Sequence, residues 1–355
     1  MTVRPTPILM PLSWVYQAGM AARNWFFEKK LFAVSSVGIP VISVGNLTSG
    51  GSGKTPFVEL LARTLQSWGL RPAILSRGYG RKSRGYQVVS NGRQRCAEAW
   101  TAGDEPAQMA EKLGGVIVVV NEDRVGGAKS TIRDFQPDVI LLDDGFQHRS
   151  LARDLDIVLV TAGEVLRGSR ILPAGNRREP WSSLGRADLI AVTKWDSVEY
   201  YEQAAQKLKR QVSKPMIGVR NDVLGVRPAG SAELGSPKNL ERKAVLAVSG
   251  IANPDSFEKT LSDLHCTVVA HRVFPDHYWY SSEDLKRLSE GFRGSGAELL
   301  VTTEKDEARM RGVEGFDEFA RRTSCAVVEV GASVTVGKEL LHRALRSTME
   351  KEGNT

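Results

Sequence analysis

A glycine-rich loop that ends in Lys54 and Thr55 is the stretch whose residue types most directly indicate chemistry. It follows an apolar run at residues 40–44 and opens a segment with apolar residues at helical spacing. Glycines admit positive φ, so consecutive backbone N–H groups can converge on phosphate oxygens at the start of a helix. Lys54 would add a charge on the β- and γ-phosphates, and Thr55 would add a hydroxyl ligand for magnesium.

The loop is a variant of the G-x-x-x-x-G-K-S/T pattern, because Thr48 stands where the first glycine is expected. The alternative is a glycine-rich turn with a chance Lys-Thr pair. Strand, loop and helix occur in the required order, so the sequence favours a phosphate-binding loop. The predicted nucleotide-binding residues are Thr48, Ser49, Gly50, Gly51, Ser52, Gly53, Lys54, Thr55 and Pro56.

Two adjacent acids, Asp143 and Asp144, end a later apolar run at residues 138–142. An aspartate after a buried strand is the second half of a P-loop site, where it can hold magnesium directly or through water. Packing explains two such acids poorly, since buried carboxylates need partners. The sequence therefore predicts a magnesium site that includes Thr55, Asp143 and Asp144.

Asp104 lies in Gly-Asp-Glu-Pro at residues 103–106, just before a predicted helix at residues 107–112. An aspartate ahead of a first-turn proline is good N-cap chemistry, and the spacing alone favours that role. An acid at a loop-to-helix junction could instead accept a proton from an attacking hydroxyl. His277 follows a predicted strand at residues 267–274, and considered alone it is best explained as a structural loop histidine.

Two further motifs have open interpretations. Residues 77–86 contain four cations among glycines and tyrosines, including Arg77 and Tyr79, and could hold a phosphorylated substrate or be a solvated charge run. Residues 193–196, Thr-Lys-Trp-Asp, resemble the T/N-K-x-D element by which GTP-binding proteins select guanine. This short match keeps a GTPase hypothesis open.

The elements that must position these residues alternate between apolar strands and helices. Strands are predicted at residues 71–76, 116–120, 138–142, 157–160 and 189–192, followed by short strands at 216–219 and 223–226. A polar connection at residues 228–243 precedes a second α/β unit. Its strands are predicted at 244–248, 267–274 and 298–303, and its helices at 254–264, 281–292 and 336–349.

Composition suits two domains, because 355 residues with 41% hydrophobic content can form two cores. Cys96, Cys266 and Cys325 have no metal or disulfide spacing, which suits a reducing compartment. The net charge of +7 is compatible with anionic lipid, nucleotide or nucleic acid and does not choose among them.

The N-terminal segment is uncharged from residue 5 to residue 22 and carries aromatic residues interleaved with later cations. Prolines and polar residues interrupt its apolar core, which argues against a secretory signal. Its length makes membrane spanning marginal. A helix in the interface of an anionic leaflet fits better, and a helix packed on the protein's own surface is the alternative.

Seven motifs together resemble the tetraacyldisaccharide 4'-kinase family of lipid A biosynthesis, in register from the N-terminal helix to about residue 310. They lie at residues 45–56, 76–80, 103–106, 143–148, 250–254, 276–277 and 303–306. The resemblance implies an α/β fold with a P-loop NTPase core around a mainly parallel sheet, a smaller C-terminal α/β domain and an N-terminal membrane-associated helix. We assign residues 1–34 to that helix, 35–227 to the kinase core, 228–243 to a linker and 244–355 to the C-terminal domain.

The resemblance also implies an activity, which is transfer of the γ-phosphate of ATP to the 4'-hydroxyl of tetraacyldisaccharide 1-phosphate to give lipid IVA. The implied cofactors are ATP and Mg²⁺. The implied partners are the lipid A disaccharide 1-phosphate substrate and the membrane surface of the inner leaflet, with no nucleic acid and with the protein a monomer. The implied location is the cytoplasmic face of a Gram-negative inner membrane.

Residue roles follow from the same resemblance. Asp104 matches the family's proposed base, with His277 as its partner across the domain cleft, and Lys54 joins them as a catalytic residue. Glu105 joins Thr55, Asp143 and Asp144 at the metal site. The candidate substrate contacts are Asn46, Arg77, Tyr79, Gln147, His148 and Arg178.

One stretch departs from the family pattern. Residues 172–180 contain Asn176 and Arg177 where the family usually has Pro-Leu, which affects the expected shape of that loop. The alternative functions are a membrane-associated P-loop nucleotide-switch ATPase and a GTPase. The lysine that distinguishes partitioning-type ATPases precedes the glycine pair, and Ser49 stands at that position here.

Overall fold

The computed structural model describes residues 7–350, so the parts of the predicted domains at residues 1–6 and 351–355 lie outside it. Within the described residues the chain forms twelve strands. The strands are β1 (Val41–Asn46), β2 (Pro72–Ser76), β3 (Gln87–Asn91), β4 (Ile117–Val120), β5 (Val139–Asp143), β6 (Leu155–Thr161), β7 (Leu189–Thr193), β8 (Met216–Pro228), β9 (Ala244–Ser249), β10 (Thr267–Val273), β11 (Leu299–Thr303) and β12 (Ala326–Val336).

The same described residues form twelve α-helices. They are α1 (Met10–Glu28), α2 (Lys54–Ser67), α3 (Ala99–Ala102), α4 (Asp104–Lys112), α5 (Arg124–Phe135), α6 (Ala162–Arg167), α7 (Val198–Lys209), α8 (Pro254–Asp263), α9 (Ser282–Ser295), α10 (Glu304–Met310), α11 (Phe316–Arg322) and α12 (Lys338–Glu350). The predicted α/β class with a mainly parallel sheet is confirmed.

Contacts between Cα atoms divide the chain into two compact units. The first unit contains residues 7–77, 115–221 and 332–350 of the described chain. Its strands follow the order β8-β7-β6-β1-β5-β2-β4, and every neighbouring pair in that series is parallel. The strands are buried on both faces, as continuous apolar runs predict.

The centre of this sheet positions the glycine-rich loop. β1 lies between β5 and β6, and Val44 pairs with Asp143. Parallel strands end at the same edge of a sheet, so the loop after β1 and the acids after β5 lie side by side. The fully buried side chains of Phe57, Leu61 and Leu65 anchor α2, the helix that the loop opens.

The second unit contains residues 78–114 and 222–331. Its strands follow the order β10-β9-β11-β12, again with parallel pairs. Its core includes buried side chains from the strands and from α9, α10 and α11, among them Leu246, Leu285, Leu300, Met310 and Phe319. The unit is therefore a small α/β body with its own core.

Several predicted elements need correction. The two short strands predicted at 216–219 and 223–226 are one continuous strand, β8, which runs from the first unit into the second. β12 was not predicted and also belongs partly to each unit. The segment predicted as a linker contains a short 3₁₀ helix, Pro237–Leu240.

The contact units also differ from the predicted domains, since residues 78–114 group with the later part of the chain and residues 332–350 with the first part. The predicted boundaries are contiguous, whereas each unit collects separate segments. The domain assignment stays a prediction.

The N-terminal helix α1 lies on the first unit through a few polar contacts. The Ser13 hydroxyl donates to the Ile171 carbonyl at 3.1 Å, and Arg23 donates to the Gln147 carbonyl at 2.7 Å. Large apolar side chains of this region are exposed, including Ile8, Leu12, Trp14, Val15 and Trp25. None of the helices in residues 7–350 combines the length and apolar character needed to span a bilayer. The interfacial helix stays a prediction.

Candidate active site

The phosphate loop of the first unit has the backbone shape that its glycines predict. Gly50 and Gly53 have φ of +136° and +87°, a region that residues with a Cβ rarely adopt, and Gly53 is the N-cap of α2. Inside the loop, the Asn46 amide donates to the Ser52 hydroxyl at 2.9 Å. Helix α2 therefore begins at Lys54 with its N-terminal N–H groups directed at the loop, which is the arrangement that binds phosphate.

The divergent stretch around Asn176 holds the start of this loop. The Ser49 backbone N–H donates to the Asn176 carbonyl at 2.7 Å, and the Arg178 N–H donates to the Leu47 carbonyl at 2.7 Å. Thr48 and Arg177 form an antiparallel bridge between these contacts. Backbone atoms make these contacts, so the substitution of Pro-Leu by Asn176-Arg177 is compatible with an ordered loop.

A charge cluster lies at the mouth of the loop. The Lys54 ammonium is 3.4 Å from one carboxylate oxygen of Asp144, and the Arg178 guanidinium donates to the other at 2.9 Å. Burial by itself would raise the pKa of Asp144, but the charges of Lys54 and Arg178 outweigh it and hold the pKa below its ordinary value. Asp144 is thus ionised and pairs with the lysine that the sequence assigns to phosphate.

Asp143 is the more deeply buried of the two strand-end acids, with 2% of its surface exposed. The Ser76 hydroxyl donates to it at 2.9 Å, which fixes its carboxylate at the end of β5. Thr55 is also buried, in the first turn of α2. A hydroxyl and a carboxylate at a P-loop form the donor set that suits magnesium bound together with nucleotide phosphates.

The predicted metal residue Glu105 belongs to the other unit, where it forms an ion pair with Lys305. Within residues 7–350, no three His, Cys, Asp or Glu side chains gather into a group that could hold a metal ion. Mg²⁺ needs no such cage, because it is usually held by one or two carboxylates, water and substrate phosphates.

A second set of ionisable groups lies within the second unit. Asp104 is 3% exposed, and one of its carboxylate oxygens lies 3.0 Å from Nδ1 of His277. His277 has a left-handed backbone, φ +59°, just after β10. Although Asp104 and His277 were predicted to face each other across a domain cleft, both belong to the same contact unit.

The pair shifts the pKa of both members. Burial alone would raise the pKa of Asp104, but the hydrogen bond from His277 and the charges of Lys305 and Arg309 lower it to about 2. The hydrogen bond with Asp104 raises the pKa of His277, against the opposing effect of burial. Asp104 is therefore a carboxylate and His277 carries a proton over a wider pH range than a free histidine.

Asp104 is not the N-cap of α4 that its spacing favours. The helix begins at Asp104 itself, and Gly103 is the N-cap without a side-chain hydrogen bond. Apart from one bond from the Glu105 N–H at 3.0 Å, the Asp104 carboxylate faces His277 and Arg309. Helix capping therefore does not account for its burial.

Arg309 and Asp306 support this pair and were not assigned a role from the sequence. The Arg309 side chain is 1% exposed and lies 3.6 Å from Asp104 and 3.4 Å from Asp306. Asp306 accepts hydrogen bonds from the Gly250 N–H at 2.9 Å and the Tyr280 hydroxyl at 2.8 Å. Arg309 had no sequence signal, whereas Asp306 lies in the motif at residues 303–306.

The remaining candidate substrate residues divide between the units. In the first unit, Gln147 donates to the Asn46 carbonyl at 2.9 Å, and burial lowers the pKa of His148 to about 4. Arg77 is exposed at the end of β2. In the second unit, the exposed ring of Tyr79 lies 5.5 Å from that of His277.

A cavity of about 720 Å³ also lies in the second unit, bordered by β8, α11 and the start of β12. Its lining includes Arg227, Leu240 and Cys325 but none of the predicted site residues. The chemistry indicated by Asp104 and His277 therefore lies elsewhere in that unit.

The fold and the first unit's site define a P-loop nucleotide-binding protein of the α/β class, because a phosphate loop follows a central parallel strand and strand-end acids lie beside it. The model of the tetraacyldisaccharide-1-P 4'-kinase family matches residues 5–350. The chain belongs to this family.

Individual relatives cover nearly the whole chain. The tetraacyldisaccharide 4'-kinase of Chlorobium phaeovibrioides (strain DSM 265 / 1930) is 39% identical over 350 residues, which cover 97% of this chain and 98% of the relative. The enzyme of the same name from Anaeromyxobacter sp. (strain Fw109-5) is 36% identical over 341 residues, which cover 95% and 90%.

A solved structure is similar as well. The crystal structure of the "apo" form of LpxK from Aquifex aeolicus in complex with ATP superposes with a TM-score of 0.77 at 31% identity. The match covers 96% of this chain and 98% of that one. The similarity favours the kinase prediction over the switch ATPase and the GTPase.

Proposed function

We propose that this protein is a lipid kinase that transfers the γ-phosphate of ATP to the 4'-hydroxyl of tetraacyldisaccharide 1-phosphate and so forms lipid IVA. One observation carries the proposal. A phosphate loop with Lys54 and Asp144 occurs in the same chain as a buried Asp104 that is hydrogen-bonded to His277, and the chain belongs to the tetraacyldisaccharide-1-P 4'-kinase family. A nucleotide switch would have no need for the second feature.

The chain's own residues would share the work of phosphoryl transfer. The loop N–H groups and Lys54 hold and orient the phosphates, and Lys54 offsets the charge that develops on them. Asp104 accepts the proton of the sugar hydroxyl as the γ-phosphoryl group departs. Protonated His277 and Arg309 fix the orientation of that carboxylate.

Magnesium fits the donor groups of the first unit. Thr55 and Asp143 would hold it, with Asp144 beside them, and Glu105 is the weakest member of the predicted set because Lys305 pairs with it. The chemistry that Mg²⁺ supplies when bound is neutralisation of charge on the phosphate oxygens.

The substrate is a lipid, so the protein must reach a membrane surface. We propose that α1 lies in the interface of the cytoplasmic leaflet of the inner membrane and that the protein acts there as a monomer. The exposed apolar side chains of Leu12, Trp14 and Trp25 support this role, since a helix of this kind buries such residues among lipid headgroups.

Transfer of radiolabel from γ-labelled ATP to tetraacyldisaccharide 1-phosphate in detergent tests the proposal, with and without Mg²⁺. We expect magnesium-dependent label in the lipid, and none in an acceptor whose 4'-position is already phosphorylated. Excess unlabelled GTP should compete poorly. Nucleotide hydrolysis without label in the lipid would contradict the kinase proposal. It would favour one of the alternative functions, a switch ATPase or a GTPase.

A further inference from the structure

The motif at residues 193–196 is not explained by the proposed reaction, yet it lies against the phosphate loop. Thr193 is the last residue of β7, and its buried hydroxyl donates to the Ser52 carbonyl at 2.9 Å. Trp195 is buried in the core of the first unit, where its ring lies 5.4 Å from that of Tyr201. Both neighbours of Lys194 are therefore fixed.

The side chain of Lys194 extends to the loop. Lys194 has a left-handed φ of +53°, which is uncommon for a residue other than glycine. Its ammonium lies 3.9 Å from the point that a Cβ on Gly51 would occupy. The cation thus reaches the loop at Gly51, whereas Lys54 stands at the other end of the same loop.

Lys194 makes no hydrogen bond or ion pair within the part of the chain that the structure describes. Desolvation beside the loop lowers the pKa of Lys194, and the negative charge of Glu164 opposes this effect. The residue is still exposed to solvent, so a ligand can reach its ammonium. The carboxylate of Glu164 already accepts from the Thr161 N–H at 3.3 Å and from the Asn176 amide at 3.2 Å. A cation beside an anion-binding loop without a committed partner is suited to a bound anion.

We propose that Lys194 is a second nucleotide-binding lysine, whose ammonium donates to the bound nucleotide where the loop passes through Gly51. The inference rests on the proposed function, since it takes the loop's ligand to be ATP. Lys54 serves the β- and γ-phosphates. Lys194 therefore contacts a part of the ligand that ATP and ADP share, and the sequence from Thr193 to Trp195 serves a nucleotide without selecting guanine.

The test compares ATP and ADP affinities of the full-length protein by calorimetry. Lys194→Met removes the charge and keeps the length of the side chain. It should weaken ATP and ADP binding equally, by about tenfold, the loss expected when one charged hydrogen bond is removed. Lys194→Arg should retain most of the affinity. Lys209→Met, at an exposed position in the last turn of α7, is the matched control and should bind like the wild type.

Two results would overturn the inference. One is Lys194→Met binding both nucleotides within twofold of the wild type, and the other is a loss confined to ATP, which would place the contact at the γ-phosphate. Melting temperatures of all variants check that the loop and its unit stay folded. A wild type that binds ATP but fails to label the lipid contradicts the kinase proposal alone, so the two failures are distinguishable.

Discussion

The phosphate loop and the Asp104–His277 pair are built in opposite ways. The loop, with Lys54, is one continuous segment whose backbone forms the binding surface. Asp104 and His277 are 173 residues apart, and Arg309 on α10 completes their surroundings. A local motif thus specifies the first feature, whereas the second exists only when three separate segments fold together.

The two features also differ in how their charges are enclosed. Lys54 and Asp144 have side chains that are 14% and 31% exposed, so a ligand can reach them and replace one partner by another. The side chains of Asp104 and Arg309 are only 4% and 1% exposed, and each has more than one oppositely charged neighbour, whereas the His277 side chain is 35% exposed. We infer that the loop exchanges partners during binding and that the buried Asp104 carboxylate keeps one arrangement.

Replacing Asp104 should produce the largest effect and tests whether the buried pair is chemical or structural. Asp104→Asn keeps the size of the side chain and removes the proton acceptor. Turnover should fall by about two to four orders of magnitude, the usual contribution of a general base. Calorimetry should show ATP affinity close to that of the wild type, because the loop belongs to the other unit.

The matched control for this variant is Asp263→Asn, an exposed aspartate at the end of α8 in the same unit. It should show wild-type turnover. Undiminished turnover in Asp104→Asn would show that the pair only stabilises its unit, and the comparison with the loop would then concern stability alone.

Replacing Lys54 should have the next largest effect on turnover, and unlike the Asp104 variant it should also weaken ATP binding. Lys54→Met removes the charge that serves the phosphates, so we expect turnover to fall by about two to three orders of magnitude, as when one preorganised electrostatic donor is lost. ATP affinity should fall as well, unlike in Asp104→Asn. Steady-state kinetics and calorimetry together give both quantities.

Lys129→Met, at an exposed position on α5 in the same unit, is the control for loss of a lysine. If Lys54→Met binds ATP normally, the loop is not the nucleotide site. If Lys54→Met loses turnover but keeps ATP affinity, the loop and the Asp104–His277 pair both act in the chemical step. The contrast between a binding feature and a catalytic feature would then be wrong.

This contrast also explains what could be predicted from the sequence. The loop, the acids after β5 and the parallel strands are local patterns, so glycine placement and apolar runs indicate them directly. The sequence around Asp104 favoured a role as a helix cap, because nothing near this residue in sequence shows that His277 will donate to its carboxylate. Only the resemblance to a family connected the two.

Other features escaped prediction because their cause is tertiary. Arg309 lies in an ordinary charged helix, and its burial is decided by Asp104 and Asp306 in the folded unit. β12 is different, because its sequence does carry a local signal: apolar residues alternate with polar or small ones from residue 328 to residue 336. Its pairing with β11 places that strand in the sheet.

The smallest expected effect concerns the coupling between His277 and Asp104. In the wild type the hydrogen bond with His277 helps to hold the pKa of Asp104 at about 2, so activity should have no acid limb from Asp104 above pH 3. His277→Gln removes the positive charge and weakens that bond, because a neutral amide is a poorer donor than an imidazolium. The pKa of Asp104 should then rise, because burial raises it and only the charges of Lys305 and Arg309 oppose burial undiminished.

We therefore expect the acid limb of the turnover profile to move to higher pH in His277→Gln, with a loss of about tenfold at neutral pH from poorer orientation of the base.

The free energy of unfolding should also depend on pH through His277. The pKa of His277 is raised by folding, so its contribution is complete below its unfolded value and is lost as pH rises through the folded value. The difference in free energy of unfolding between wild type and variant should accordingly be largest in acid. A pH-independent difference, with an unmoved acid limb, would mean that His277 does not tune Asp104.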